Sequence, residues 1–422
     1  MAGKQGRVRS SARLLLTALA SVSAIGWLHD SNAADPVAQH EITIKAPAAV
    51  GRIALSPDGS LVAMQQELTS NGVDIWDVRK RRLVKHVDYG GGVSLESNLL
   101  AFSPDGKLFA ICGGAINLED HASIHILDTS SWAALATLQS RDFQYGNGCS
   151  GVTFSPDSRT LIRVGGATRL EAGSDVVLFD TTTWEVVGSI RLRPYVKGAG
   201  ACGSPVSDRL LVDPADPQTG LWPVGPLAVS RDGRFLAVEG KIITSCPARA
   251  PGLDLTRDVD EYQHSNGMAV IELTDDKLVT FIHAGGASIA FSPDSKNLAM
   301  GNPSFDYKST EIIRVVEVLS GNTVSSQTEN GPSFETWLRY TSDGRYLVTC
   351  RDDTIQIWDR GHERLLQSIK TGGRPDGFDI SADGRYLAYG GIAPSLGDVL
   401  PALLQLSLGT GGHGRVVVMR LH

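Results

Sequence analysis

Hydrophobic and polar positions alternate along most of this chain in short runs, and one pattern of runs recurs seven times. Each copy has an apolar alternation, a turn that contains an aspartate, and a second apolar run. The copies are RIALSPDGSLVAM from Arg52, LAFSPDGKLFAI from Leu100, VTFSPDSRTLIR from Val152, LAVSRDGRFLAV from Leu227, IAFSPDSKNLAM from Ile289, RYTSDGRYLVT from Arg339 and FDISADGRYLAY from Phe378. A repeat with a period of about 40–60 residues indicates one supersecondary unit that is used repeatedly.

Each copy predicts a β-hairpin. Alternation with period two is typical of a half-buried strand. In the turn, Pro fixes φ at the second position, Asp suits the third, and Gly accepts the positive φ that follows. Four copies keep Ser-Pro-Asp, and the others have Ser230-Arg231-Asp232, Ser342-Asp343 and Ser381-Ala382-Asp383. Because Asp is present in all seven turns, we interpret it as a turn residue and assign it no chemistry.

Further strands follow the hairpins. A third strand often ends in an acidic residue, as at 73–77 and 355–359, and a fourth strand follows, for example at 184–190. Four strands per repeat are typical of a propeller blade. The last copy ends after its third strand at 414–421, whereas the strand at 41–45 has no blade of its own. Pairing these two segments closes the ring and removes an open sheet edge, so we predict an all-β, seven-bladed β-propeller of four-stranded blades.

Two Trp-Asp pairs, Trp76-Asp77 and Trp358-Asp359, together with the Ser-Pro-Asp-Gly turns, make the chain resemble the WD40 and YVTN-type propeller families. The chain lacks the regular Gly-His that precedes the first strand of WD40 blades. The YVTN-like propellers of exported bacterial proteins are therefore the more similar type. The resemblance extends over nearly the whole chain after the first 33 residues and implies the same seven-bladed fold.

The chain is expected to divide into a signal peptide at 1–33 and a propeller at 34–422. The first segment has the basic residues Lys4, Arg7, Arg9 and Arg13, then an apolar stretch at 14–27, which is typical of a cleaved secretory signal. The closing strand is predicted at 41–46, and the blades near 50–90, 91–140, 150–192, 226–283, 287–328, 334–370 and 376–422. Export together with bacterial-type repeats favours a periplasmic location.

Composition and charge argue against some classes of partner. Of the 422 residues, 42% are apolar, which is ordinary for a globular protein with a sizeable core. The formal net charge is −7, and no basic stripe with interleaved aromatic residues occurs. We therefore expect neither nucleic-acid binding nor insertion into a membrane.

The chain has five cysteines, and export would allow some of them to form disulfides. Cys112 and Cys350 each follow a turn aspartate by seven residues, so they are expected at equivalent places in distant blades and cannot pair with each other. We predict that both are buried thiols packed as small apolar residues. Cys202 and Cys246 lie in the two long connections of blade four and are the candidate disulfide.

The connections between strands are strongly asymmetric. One face of the propeller is predicted to have only tight turns, and the other carries the segments 141–150, 165–174, 193–225, 241–267, 302–310 and 392–413. Connections of this length are uncommon in a compact fold unless they have a function. The two longest enter and interrupt blade four, so we expect a ligand or partner to bind there.

Six residues on these two connections are candidates for binding: Tyr195, Trp222, Asp260, Glu261, Tyr262 and His264. Exposed aromatic residues of this type anchor protein partners, and the polar run could hydrogen-bond a ligand. The alternatives are that the aromatic residues pack the insertion onto its own blade and that the polar run is solvated. No calcium-loop spacing is present, so no metal site is predicted.

Sequence motifs for catalysis are absent. The chain has no Gly-x-Ser-x-Gly, no Cys-x-x-Cys-His, no paired Cys-x-x-Cys and no phosphate loop, so we assign no catalytic residue and no cofactor. We favour a periplasmic binding or interaction module. The first alternative, implied by resemblance to the propeller superfamily that contains quinoprotein amine dehydrogenase subunits, is a non-catalytic subunit of a periplasmic redox complex. The second is a stand-alone hydrolase or lyase that uses His264, Glu261 and Tyr262.

Overall fold

The computed structural model describes residues 37–47, 50–66, 72–88, 99–112, 123–139, 149–165, 176–192, 209–210, 220–243, 266–302, 310–329, 336–359, 364–392 and 414–422. These residues form strands and turns. No helix among them is long and apolar enough to cross a membrane. The predicted signal peptide lies outside the described residues.

The first three blades each begin with an inner hairpin and continue outwards in sequence order. Blade one has β2 (Val50–Leu55), β3 (Leu61–Gln66), β4 (Gly72–Asp77) and β5 (Arg82–Asp88). Blade two has β6 (Leu100–Phe102), β7 (Leu108–Cys112), β8 (Ser123–Asp128) and β9 (Ala134–Gln139). Blade three has β10 (Gly151–Phe154), β11 (Thr160–Val164), β12 (Val176–Asp180) and β13 (Val186–Arg191), with a short fifth strand β14 (Arg209–Leu210) parallel to β13.

Blades four to six repeat this order. Blade four has β15 (Gly220–Val229), β16 (Phe235–Ile243), β17 (Asn266–Glu272) and β18 (Lys277–Ile282). Blade five has β19 (Ser288–Phe291), β20 (Asn297–Gly301), β21 (Glu311–Glu317) and β22 (Thr323–Thr328). Blade six has β23 (Thr336–Tyr340), β24 (Tyr346–Arg351), β25 (Thr354–Asp359) and β26 (Leu365–Lys370).

Blade seven joins the two ends of the propeller. It has β27 (Pro375–Ile380), β28 (Tyr386–Ile392) and β29 (Gly414–Leu421), and its outer strand is β1 (Ala38–Ala46). Strands β1 and β29 are antiparallel, with Ala38 opposite Leu421 and Ala46 opposite Gly414. Each inner strand contacts those of the neighbouring blades, and β27 contacts β2. The seven-bladed fold and its closure by the N-terminal strand are therefore confirmed.

Apolar side chains between neighbouring blades form the core. In blade two, Phe109 and Ile111 pack against Ala63 and Ile75 of blade one. The alternate residue, Ala110, packs on the opposite side against blade three. Each blade is thus buried on both faces, which is why its central strands are apolar at nearly every position rather than at every second one.

One hydrogen-bond network recurs in all seven hairpin turns. In blade two, Ser103 Oγ donates to Asp105 Oδ1 at 2.6 Å and accepts from the N–H of Leu108 at 2.9 Å, while the N–H of Lys107 donates to Asp105 Oδ1 at 3.1 Å. The equivalent Ser or Thr and Asp pairs are Ser56–Asp58, Ser155–Asp157, Ser230–Asp232, Ser292–Asp294, Thr341–Asp343 and Ser381–Asp383. The aspartates therefore have the turn role predicted for them.

The sixth turn corrects one detail of the repeat. Its aspartate is bonded by Thr341 Oγ1 at 2.7 Å, not by Ser342. Ser342 takes the place that Pro has in four other turns, so the sequence pattern misplaced the serine by one position. A threonine hydroxyl can make the same local bond as serine, which explains why the network is preserved.

Candidate functional site

Blade four rises above the other blades on the face opposite the tight turns. Its first two strands, β15 and β16, have 10 and 9 residues, whereas the first two strands of the other blades have 3 to 7 residues. The extra ladder pairs 220–223 with 240–243 beyond a bulge between Pro223 and Leu227. At about 3.3 Å per residue, four pairs raise this edge by about 13 Å. The two longest connections predicted from the sequence leave from it.

The structure places one of the six predicted binding residues. Trp222 was expected in a loop, but it lies in β15 with its backbone opposite Lys241. Tyr195, Asp260, Glu261, Tyr262 and His264 lie outside the described residues, as do Cys202 and Cys246. Their predicted roles, including the candidate disulfide, therefore remain predictions.

A buried carboxylate lies below the raised edge. Glu239 in β16 is only 3% exposed. A Cβ atom on Gly225 or on Gly285 would overlap the carboxyl group of Glu239, or come within 2.6 Å of it. These two glycines therefore provide the space that the carboxylate occupies. Burial of a charged group is tolerated in proteins when it is paired or hydrogen-bonded. A buried carboxylate is therefore a feature that needs a particular environment, which the two glycines help to provide.

Comparison of the seven blades shows how specific Glu239 is. It follows its turn aspartate by seven residues and lies in the middle of β16, whereas the equivalent residues of the other blades lie at or near the end of the second strand. The residues at this position in blades one to seven are Gln65, Cys112, Val164, Glu239, Gly301, Cys350 and Gly390. The residue type at this position therefore differs between most of the blades, whereas the turns before the same strands are uniform.

A disulfide between Cys112 and Cys149 joins blade two to blade three, with a Cα–Cα distance of 5.8 Å. The prediction that Cys112 is a free thiol is therefore wrong. Cys149 lies immediately before β10, the inner strand of the next blade, and so faces the end of β7 where Cys112 is located. The prediction for Cys350 is confirmed: it is buried and free, and burial raises the pKa of its thiol to about 12.

The central channel contains charged residues that the sequence analysis did not single out. Two residues before the turn Ser or Thr, the seven blades have Ala54, Ala101, Thr153, Ala228, Ala290, Arg339 and Asp379. Five blades thus have a small side chain, and blades six and seven have a charged pair. Alignment of the seven copies position by position would have found this pair, because it departs from the repeat.

Arg339 and Asp379 lie against each other in the channel, with 3.6 Å between Nε and Oδ1. The backbone N–H of Leu55 in blade one donates to Asp379 Oδ2 at 2.9 Å. Burial raises the pKa of the Asp379 carboxyl above its ordinary value, although Arg339 and the Leu55 N–H favour the ionised form. The pair therefore links three consecutive blades across the point where the ring closes.

No group of three or more His, Cys, Asp or Glu side chains among the described residues is arranged to hold a metal ion. His125 is half-buried on β8, and burial lowers the pKa of its imidazole.

Comparisons with known proteins agree with this architecture. The family model "WD domain, G-beta repeat" (WD40) matches residues 328–359, which include the first three strands of blade six. A chain of hydrazine synthase from Kuenenia stuttgartiensis is 16% identical, with a TM-score of 0.53 over 82% of this chain and 92% of that chain. A chain of a mitotic checkpoint complex is 15% identical, with a TM-score of 0.57 over 91% and 92%. A search of curated proteins found no match.

These findings define the class of protein. At 15–16% identity, the solved structures show the fold alone. The seven blades make the chain a seven-bladed β-propeller, and blade six matches the WD40 repeat.

Proposed function

We propose that the protein is an exported binding module whose long-loop face around blade four holds a protein partner or a small ligand. The raised edge of β15 and β16 carries this proposal, because it gives blade four a projecting, rigid base that the other blades lack in their described parts. Binding sites built on strands hold their side chains more accurately than sites on loops alone. Trp222 belongs to this edge, which makes it the best-supported of the predicted binding residues.

Two observations favour a partner at this face. The two longest connections predicted from the sequence, 193–225 and 241–267, belong to blade four, and β15 and β16 extend into them. The same fold occurs in a chain of a mitotic checkpoint complex, so the fold is compatible with a role in a multi-chain assembly. WD40-like propellers supply a scaffold, and specificity then depends on residues that differ between the blades.

Export is supported by the chemistry of the cysteines. Stable disulfides form in oxidising compartments and are rare in the cytosol of most organisms. The bond between Cys112 and Cys149 therefore favours the same location as the predicted signal peptide at 1–33, namely the periplasm.

Native mass spectrometry on untagged protein isolated from its own cells tests the proposal. We expect a companion chain or ligand to accompany the wild-type protein and to be lost in the double variant Trp222→Ala/Tyr262→Ala. A matched control is Leu135→Ala/Leu319→Ala, which removes two exposed apolar side chains from the outer edges of other blades.

The control pair should retain the companion, because its residues lie on the outer strand of blade two and after the third strand of blade five. A bare monomer from native cells would contradict the proposal, and so would a companion that survives the blade-four substitutions. Circular dichroism on each variant shows whether the propeller itself is intact.

A further inference from the structure

The channel of the propeller contains an open cavity of about 410 Å³. It is lined by inner strands of all seven blades and, at one end, by residues of several hairpin turns. Small-molecule sites in proteins have volumes of about 300–1,000 Å³. The cavity is therefore large enough for a compact organic ligand, and it is separate from the raised edge of blade four.

Much of the cavity wall is small or apolar, and four charged residues from blades one, four, six and seven also line it. Blades two to five contribute small or apolar side chains, among them Ala101, Val152, Ala228 and Ala290. The charged residues that line the cavity are Arg52, Arg231, Arg339 and Asp379. The lining thus has three arginines and one carboxylate, in a chain whose overall charge is negative. A cavity with an excess of one charge and low-dielectric walls concentrates ions of the opposite charge.

Arg339 is held in a fixed orientation. Its Nη1 donates to Ser288 Oγ at 3.1 Å and to the carbonyl oxygen of Leu338 at 3.0 Å, while its Nε faces Asp379. Ser288 Oγ in turn accepts from the N–H of Leu338 at 3.2 Å. These contacts orient the guanidinium before any ligand binds, so little conformational entropy is lost when it forms a further bond.

The other two arginines are placed at different depths of the channel. The guanidinium of Arg52 lies over the ring of Trp337, 4.9 Å from its centroid, and donates to the carbonyl oxygen of Asp376 at 2.9 Å. Arg231 occupies the turn position that is Pro in four other blades, and it reaches from blade four to the carbonyl oxygen of Ser342 in blade six. Arg231 therefore spans the turn-side end of the channel.

We propose that this cavity binds a compact organic oxyanion, a carboxylate or a phosphate ester, with its charged group among the arginines and its apolar body against blades two to five. A guanidinium group suits both oxyanions because it is planar, permanently charged and rich in N–H donors. In Arg339, Nη1 and Nε already contact Ser288, Leu338 and Asp379, so Nη2 is the nitrogen that would donate to the oxyanion. The indole of Trp337 is only 8% exposed and supports the guanidinium of Arg52, which lies over its ring. The three arginines lie within repeat copies but differ from the residues at the equivalent positions of the other blades, as expected for a site added to a scaffold.

Isothermal titration calorimetry with three probes of similar size tests the proposal: benzoate, phenyl phosphate and neutral benzyl alcohol. We expect both anions to bind at least tenfold more tightly than benzyl alcohol, with affinity that falls as salt increases. The ratio between benzoate and phenyl phosphate then distinguishes a carboxylate ligand from a phosphate ligand. Equal binding of all three probes, or no binding of the anions, would overturn the proposal.

Two substitutions with opposite expected signs separate a ligand role from a structural one. Arg339→Met should weaken anion binding at least tenfold, since it removes the fixed donor. Asp379→Asn keeps an acceptor for the Leu55 N–H but removes the negative charge, so it should tighten anion binding about threefold or more. Weaker anion binding in Asp379→Asn would refute the site. Unchanged affinity in Arg231→Gln would also refute it, either together with unchanged affinity in Arg339→Met or alone if Arg339→Met does not fold.

Discussion

The two ends of the second strands differ in how strictly the blades repeat. At the turn end, seven Ser or Thr hydroxyls bond seven aspartates in the same way, as between Ser56 and Asp58 or Ser381 and Asp383. At the opposite end, seven residues further along, the equivalent position is occupied by an amide, a disulfide, an aliphatic side chain, a carboxylate, glycine and a free thiol. The hydrogen bonds before these strands are therefore the same in every blade, whereas the residue seven positions after the aspartate differs between most of the blades.

This difference indicates where the fold is specified and where function can vary. The turn network is formed mainly within each turn. Backbone N–H groups add similar contacts between neighbouring turns, as where the N–H of Asp105 donates to Ser158 Oγ and that of Asp232 donates to Ser295 Oγ.

The opposite ends of the strands contact the chain that enters the next blade, as Cys112 contacts Cys149 and Glu239 fits beside Gly285. Each of these contacts occurs between one pair of blades. A substitution there therefore removes a contact that no other blade makes.

The largest effect is expected from removing the disulfide at one of these ends. The double variant Cys112→Ala/Cys149→Ala frees a loop with a sequence separation of 37. In the chain-entropy description, closing a loop of this length stabilises the folded state by about 4 kcal/mol. We expect the free energy of unfolding, measured by urea denaturation, to fall by about 2–4 kcal/mol.

Cys350→Ala is the matched control, because Cys350 occupies the equivalent place in blade six and is buried but unbonded. We expect this substitution to reduce the free energy of unfolding by about 1 kcal/mol, as for a typical small loss of core packing. Equal losses in the two variants would show that the bond adds nothing beyond side-chain packing. Reduction of the wild type should reproduce the loss in the double variant.

An intermediate effect is expected at Gly301, which takes the same position in blade five. A Cβ atom there would overlap the backbone carbonyl oxygen of Thr336 in blade six and come within 3.3 Å of Leu338. Because a backbone atom cannot move aside as a side chain does, Gly301→Ala should destabilise the protein by about 1–3 kcal/mol. Thermal and urea denaturation would both report this loss.

Gly188→Ala provides the control for Gly301. A Cβ atom on Gly188, in the outer strand of blade three, would meet Leu178 at 3.7 Å, an ordinary van der Waals distance. Its stability should change by less than about 0.5 kcal/mol. A similar loss at both glycines would mean that strand propensity, rather than contact with the next blade, determines the result.

The sequence predicted the fold because its signals are local and repeated. The Ser–Asp turns, the period-two alternation and the unpaired strand near the N-terminus each depend on residues close together in the chain. The partner of Cys112 could not be identified in the same way. Cys149 follows a long connection, and only the packing of blade three on blade two shows that it enters beside β7.

The candidate binding surfaces were only partly predictable. Gly220-Leu221-Trp222-Pro223 has the glycine and proline of a loop, yet it pairs with 240–243 because a bulge lets β15 continue. Arg339 and Asp379 can be recognised in the sequence, since they replace the small residues that the other five blades have at one repeat position. The alternation that predicts each hairpin does not reveal them, because it depends on one copy and not on differences between copies.

The smallest effect is expected in the turns themselves. Asp383 Oδ1 accepts from Ser381 Oγ at 2.6 Å and from the N–H of Arg385 at 2.9 Å. Partial burial raises the pKa of this carboxyl, but these bonds and the Arg385 charge outweigh it, so the pKa lies below its ordinary value of 3.8. Asp383→Asn should lower the free energy of unfolding by about 1 kcal/mol near neutral pH.

The effect of Asp383→Asn should depend on pH in one direction. A carboxyl whose pKa is lower in the folded state stabilises the fold above the unfolded pKa, and this contribution is lost as pH falls through the folded pKa. The stability difference between wild type and variant should therefore shrink as pH is lowered to about 3 and below. Glu185→Gln, at an exposed position between β12 and β13, is the control for the loss of one surface charge. A difference that stays constant from neutral to acid pH would show that the turn carboxylate does not contribute through its ionised form.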